Sequence, residues 1–218
     1  MAYAPALEMQ RERLAEVQGA ADERAYLLLA EHDPPVITLG RRGKAEHVLA
    51  SRELLAARGI ELHESQRGGD VTYHGPGQLV AYPIIRLDPR RRSVHGYVWS
   101  LEESVIRLLD KYGLRGERRR GYTGVWVGRE KIAAVGVAIQ KWVAWHGLAL
   151  NVGADLSGFD LIVPCGIRGY GVTSLSRLVG KEVEMGDVKD RMAKALGEAL
   201  GFGRIQYPMS NTEQGMTK

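Results

Sequence analysis

The sequence predicts an α+β (α/β) fold, a mixed and largely antiparallel sheet flanked by helices. Three observations carry this. The 218 residues are 44% hydrophobic and 26% charged, an ordinary globular composition that fits one large domain or two small ones. Strand-like and helix-like stretches are mixed along the chain, but the central strand-like runs follow one another through short turns. A parallel sheet needs long crossovers between neighbours, so short turns favour antiparallel pairing. No linker, repeat or low-complexity segment divides the chain, so residues 1–218 read as a single domain whose polar tail, 210–218, is frayed.

The elements follow in order. Residues 4–18 predict a helix, with Leu7, Leu14 and Val17 near one face. Residues 25–30 form an apolar run of strand length, stopped by Pro34-Pro35, and Val36-Ile37-Thr38-Leu39 is a second run closed by Gly40. Residues 51–58 predict a short helix with Ser51 as N-cap and Gly59 just past its end. Residues 79–87 predict a strand in which Pro83, having no N–H, marks an edge or a bulge. Val98, Leu101, Val105 and Leu108 are spaced three and four apart, which predicts a helix over 94–112 ended by Gly113. Residues 123–127 and 131–139 flank the turn Gly128-Arg129-Glu130, a hairpin signal, and 143–152 predicts a third strand. A last helix over 187–200 carries Val188, Met192, Ala195 and Ala199 on one side.

Composition excludes several classes. One cysteine allows no internal disulfide. No apolar run approaches the ~20 residues of a membrane span, and the first eleven residues lack the basic start and apolar core of a secretory signal. The expectation is a soluble, cytoplasmic protein with no membrane partner. Six scattered histidines and one cysteine give no metal-ligand spacing, so no metal is expected. The net charge of +4 comes largely from Arg90-Arg91-Arg92 and the run from Arg115 to Arg120. Such clusters suit a solvated surface, an acidic protein or nucleic acid. The aromatic–basic interleaving that stacking on single strands requires is missing, so no nucleic-acid partner is expected.

Three constellations carry chemistry. The first is Arg67-Gly68-Gly69-Asp70-Val71-Thr72-Tyr73-His74-Gly75-Pro76-Gly77-Gln78. Its β-formers Val71, Thr72 and Tyr73 sit between glycine pairs, and a strand bracketed by glycines lets backbone approach a ligand closely. Its spacing matches neither a phosphate-binding P-loop nor a dinucleotide fingerprint. The second is Lys131-Ile132-Ala133-Ala134-Val135-Gly136, a lysine opening a strand of small residues that leaves room for a ligand; His146-Gly147-Leu148-Ala149 repeats the feature. The third is Pro164-Cys165-Gly166-Ile167. A free thiol of pKa ~8.5 is only a few per cent thiolate at pH 7 and needs a cation or base beside it. Lys131, His74, His146 and Arg168 are the candidates, and the sequence does not choose among them.

Together with Thr38-Leu39-Gly40-Arg41, these blocks in this order and spacing resemble the lipoyl(octanoyl) transferase family, over roughly residues 25–180. The resemblance implies a biotin/lipoate protein ligase-like catalytic domain and transfer of octanoyl from acyl carrier protein to a lysine of lipoyl domains, the first step of endogenous protein lipoylation. It implies as partners the lipoyl domains of 2-oxoacid dehydrogenase E2 subunits and the glycine cleavage H protein. It implies no cofactor. By motif, Cys165 would be the acyl-thioester nucleophile and Lys131 the group that lowers its pKa. Arg67, Gly68, Gly69, Asp70, Val71, Thr72, Tyr73 and His74 would line the substrate site with Ala134, Val135, Gly136, Gly147, Leu148 and Ala149. Asp70 stands at a variable position of the motif. The alternatives are an ATP-dependent lipoate or biotin ligase of the same fold, which needs no nucleophilic cysteine, and an amidotransferase moving octanoyl between lipoyl domains.

Overall fold

A computed structural model describes residues 1–87, 93–153, 155–163 and 170–201. Cys165 and its neighbours, the cluster Arg90-Arg91-Arg92 and the tail 210–218 lie outside the described residues. The described chain builds two sheets. The larger runs β1 (Tyr26–Ala30), β5 (Gln78–Arg86), β9 (Val143–Asn151), β8 (Glu130–Gln140), β7 (Tyr122–Val127), β6 (Glu117–Arg119), all antiparallel, and β10 (Gly171–Val172) adds a short parallel pairing on β8. The smaller places β2 (Val36–Leu39) between β3 (Glu61–Glu64), parallel, and β4 (Val71–His74), antiparallel.

Helices cover both faces of the large sheet. On one side α3 (Val94–Asp110) and α5 (Met185–Leu200) bury Leu101, Val105, Leu108, Val188, Met192 and Leu196 against Leu79, Ala81, Leu148 and Leu150. On the other side α1 (Tyr3–Gly19) packs Leu14 and Val17 on Val80, Tyr82, Ile84 and Trp145. The alternation of Leu79 and Ala81 with Val80 and Tyr82 is the period-2 geometry of a strand buried on both faces. A third apolar cluster joins the small sheet to its flanking segments through Ile37, Leu55, Val71 and Phe159. The Ser51 cap falls where the sequence places it, and a second serine caps α3. Ser51 Oγ accepts from Leu54 N at the start of α2 (Arg52–Ala57), and Ser93 Oγ accepts from Gly96 N at the start of α3.

Two features depart from the sequence reading. The strand carrying Pro83 is central, not an edge: β1 pairs it on one side and β9 on the other. The irregularity that a proline demands is present instead in the ladder. The β5–β9 pairing holds at residues 78–81 and 85–86 of β5 and skips 82–84. Opposite the gap, His146 takes φ 56, and its N–H is given to Gln10 Oε1 of α1 at 3.2 Å. The second departure is the β8–β9 turn, where Lys141 (φ 48) and Trp142 (φ 61) form the left-handed two-residue hairpin usually built from Asn and Gly.

Candidate active site

The two sheets meet at a narrow cleft that opens to solvent. Its floor comes from the strands of small residues. Ala134 pairs with Ala149 and Gly136 with Gly147 across β8 and β9, so a patch of sheet carries almost no side chain. Its wall is the glycine-rich block. Gly68 N donates to Val137 O at 2.8 Å, which docks that block on β8. A Cβ on Gly136 would lie 3.0 Å from Gly68 O and 3.2 Å from Arg67 Cδ, so glycine at 136 is what lets the block approach. The turn at residues 40–43 closes on the same block: Gly40 N donates to Asp70 O, Arg41 N to Arg67 O and Arg42 N to Gly69 O, at 2.9, 2.9 and 3.0 Å.

Arg67 is buried. Its Nη2 donates to Thr38 O at 2.6 Å and to Thr38 Oγ1 at 2.9 Å, and its Nε to the same hydroxyl at 3.1 Å, which fixes a guanidinium at the cleft wall. His74 Nδ1 lies 2.6 Å from Gln78 Oε1. Gln78 Nε2 in turn donates to Asn151 Oδ1 at 2.9 Å, and Asn151 Nδ2 to Thr173 O at 3.0 Å. Because Gln78 presents its oxygen, Nδ1 of His74 carries the proton and Nε2 keeps a lone pair. Burial, helped by His32, pushes His74 down to about 3, and burial with Arg67 does the same to His146. Both imidazoles are therefore neutral at pH 7. This sets an acid sensitivity. The unfolded chain takes up protons on these residues below pH ~6.5, while the folded chain does so only near pH 3. Stability therefore falls as pH drops from 6.5, on the order of 1–2 kcal/mol per histidine by pH 5. Urea midpoints measured at pH 7 and pH 5 should show this fall, and His146→Asn, which also tolerates positive φ, should reduce it; a flat profile would refute the assignment.

Of the residues marked by sequence, Arg67, Gly68, Gly69, Asp70, Thr72, His74, Ala134, Val135, Gly136, Gly147, Leu148 and Ala149 line this cleft. Val71 and Tyr73 do not, because successive residues of β4 face opposite ways. Val71 joins the third cluster, and the Tyr73 ring lies 5.6 Å from that of Phe159. Asp70 takes a structural position: its carboxylate lies 2.5 Å from His47 Nδ1 and accepts from Lys44 N at 3.2 Å. Tyr3, Val80 and Tyr82 also line the cleft, and nothing in the sequence marks them.

Lys131 is not at the cleft wall. It is buried, with Nζ donating to Thr123 O at 3.1 Å and lying 4.9 Å from the Trp126 ring centroid. Of the basic run, Arg118 pairs with Glu102 and Glu103 and stacks 4.1 Å over Trp99, and Arg119 stacks on Trp126 and Tyr170. These two are held in place rather than freely solvated. The described residues that bracket the cysteine segment are anchored near these groups. Upstream, Val163 N donates to His47 O at 2.8 Å, and His47 contacts Asp70. Downstream, Val172 pairs with Lys131, and Thr173 N donates to Lys131 O at 3.0 Å.

Two antiparallel strands of small residues floor the cleft and the glycine-rich block walls it, an arrangement that leaves strand backbone open to a ligand. Residues 2–197 match the family model described as the lipoyl protein ligase A/B catalytic domain, and the chain belongs to that family. It is 49% identical over 201 residues to the octanoyltransferase of Caldicellulosiruptor saccharolyticus, covering 91% of this chain and 85% of the relative. It is 54% identical over 197 residues to the octanoyltransferase of Chloroflexus aggregans, covering 89% and 88%. Its fold matches lipoate-protein ligase A bound with ATP at a TM-score of 0.72 and 19% identity, over 92% of this chain and 84% of that one. A chain of the bipartite lipoate protein ligase system of Thermoplasma acidophilum matches at 0.71 and 17%, over 92% and 84%.

Proposed function

We propose that this octanoyltransferase of protein lipoylation works by two thiol-dependent steps through Cys165, with acyl carrier protein as donor and lipoyl domains as acceptors. The observation that carries the reading is the slot floored by the Ala134–Ala149 and Gly136–Gly147 pairs, flanked by the anchors of the Cys165 segment. In the first step the Cys165 thiolate attacks the octanoyl thioester, the carrier's carbon–sulfur bond breaks and the carrier thiol takes a proton. In the second, a lysine amine of the acceptor attacks the enzyme thioester. An amide forms, the amine loses a proton and Cys165 is released. Thioester-to-thioester exchange is near balance and amide formation is downhill, so neither step requires a nucleotide. Lys131 favours the thiolate by charge and supplies and accepts the two protons.

Among the described residues no helix is long and apolar enough to cross a membrane. The test is octanoyl transfer from carrier protein to a lipoyl domain with all nucleotide removed. Full transfer supports the reading, and a strict requirement for ATP overturns it in favour of a ligase. The slot also sets chain length. Ala134→Leu adds three carbons to the floor and displaces two or three methylenes of the acyl chain, each worth ~0.8 kcal/mol. Octanoyl kcat/KM should fall roughly 10–50-fold while butanoyl transfer changes little; equal losses for both chain lengths would place the acyl group elsewhere.

A further inference from the structure

Among the described residues, Glu102 is the only acid in the buried set, and it feels the charge of Lys131. It lies in the middle of α3, on the face turned to the sheet. Its Oε1 accepts from Gly124 N at 2.8 Å. Its Oε2 lies 3.3 Å from Arg118 Nε, and the remaining charge in its surroundings is that of Lys131. Gly124 has φ 123, and a Cβ there would overlap Ala133 O and lie 3.4 Å from Lys131 Cε. The β7–β8 register shifts just beyond, between Val125 and Trp126. Gly124 N and the Thr123 carbonyl belong to one planar peptide unit, so a bond to the first orients the second. That carbonyl accepts from Lys131 Nζ at 3.1 Å.

We infer that Glu102 is a positioning residue for the reaction: by clamping the Gly124 N–H it fixes the peptide unit whose Thr123 carbonyl holds the Lys131 ammonium. The inference rests on the reading that Lys131 acts on Cys165. A carboxylate at this depth is costly unless it is bonded on both oxygens, and burial does push Glu102 upward against the pull of Gly124, Arg118 and Lys131. The sequence could have placed an apolar residue in this turn of α3 at lower cost, as it does at Leu101 and Val105.

The experiment is the pH dependence of iodoacetamide alkylation, which reads a single thiol because the chain has one cysteine. Two effects of Glu102 have opposite signs. Removing its charge favours the thiolate and lowers the alkylation midpoint; releasing Lys131 raises it. Glu102→Asp keeps the charge but is one methylene too short to hold Gly124 N. Its midpoint should rise by about one unit, an approximately tenfold slower reaction on the rising limb. Glu102→Gln keeps the acceptor and should rescue, with a midpoint at or below that of the natural protein. The reverse pattern, Asp unshifted and Gln lowered, would make Glu102 only a distant charge and overturn the inference. So would lower melting temperatures in both variants with no midpoint change. Lys131→Ala run in parallel separates the two levels. If it fails to move the midpoint, the reading of Lys131 falls and takes this inference with it. If it moves the midpoint and Glu102→Asp does not, only Glu102 is misassigned.

Discussion

Cys165→Ala should abolish octanoyl transfer, and Cys165→Ser should leave at most a trace. The chain has one cysteine, so no second thiol can substitute. Serine keeps the shape but not the chemistry. A hydroxyl is far harder to deprotonate than a thiol, and a lysine ammonium that suffices for a thiolate does not make an alkoxide. An oxygen ester would also be a poorer acyl donor to the acceptor amine. In mutant kinetics the loss should appear in kcat, because the cleft proposed to bind the octanoyl chain is built from other residues. The check is a transfer assay with the variant's folding verified by its melting transition. Transfer by a folded Cys165→Ala variant at more than a few per cent of the natural rate would exclude the covalent route.

Gly147→Ala should be the most destabilising of the small substitutions in the slot. A Cβ there would overlap the Ala81 carbonyl oxygen and sit 2.7 Å from Pro83 Cδ. Both obstacles belong to β5, the central strand, and neither is the free end of a flexible side chain. Relief requires β5 and β9 to part where their ladder is already interrupted. Overpacking of this kind costs about 3 kcal/mol, which lowers the melting temperature of a chain of this size by roughly 6–12 °C. Differential scanning calorimetry decides it, and a melting temperature within 2 °C of the natural protein (an order-of-magnitude threshold set by the same scaling) would contradict the close approach.

The sequence made the elements with strong periodicity legible: α3, α5, the β7–β8 hairpin and β9 are where the apolar spacing places them. It also named most of the cleft, because glycines and alanines at 68, 69, 134, 136, 147 and 149 are chosen for close backbone approach, a constraint that shows locally. What it could not show was set by tertiary contact. Strand β3 is Glu-Leu-His-Glu, short and mostly polar, and becomes a strand only by pairing with β2. The single expected sheet is therefore two. Pro83 reads as the mark of an edge or a bulge, and it sits in a central strand whose ladder is interrupted around it, where His146 bends away and gives its N–H to Gln10. Tyr3 and Tyr82 reach the cleft from α1 and the central strand, positions that carry no local mark of function. The sequence marks Lys131 only as the opening residue of a strand of small side chains; that it is buried, with its ammonium on a carbonyl, is set by tertiary contact.

The most direct test of the central claim is the mass of the intact enzyme after brief incubation with octanoyl carrier protein and no acceptor. The account predicts one octanoyl adduct per chain, mapped by peptide analysis to Cys165 and discharged when a lipoyl domain is added. Steady transfer with no adduct at any time, or an adduct on a different residue that turns over at the same rate, would contradict it.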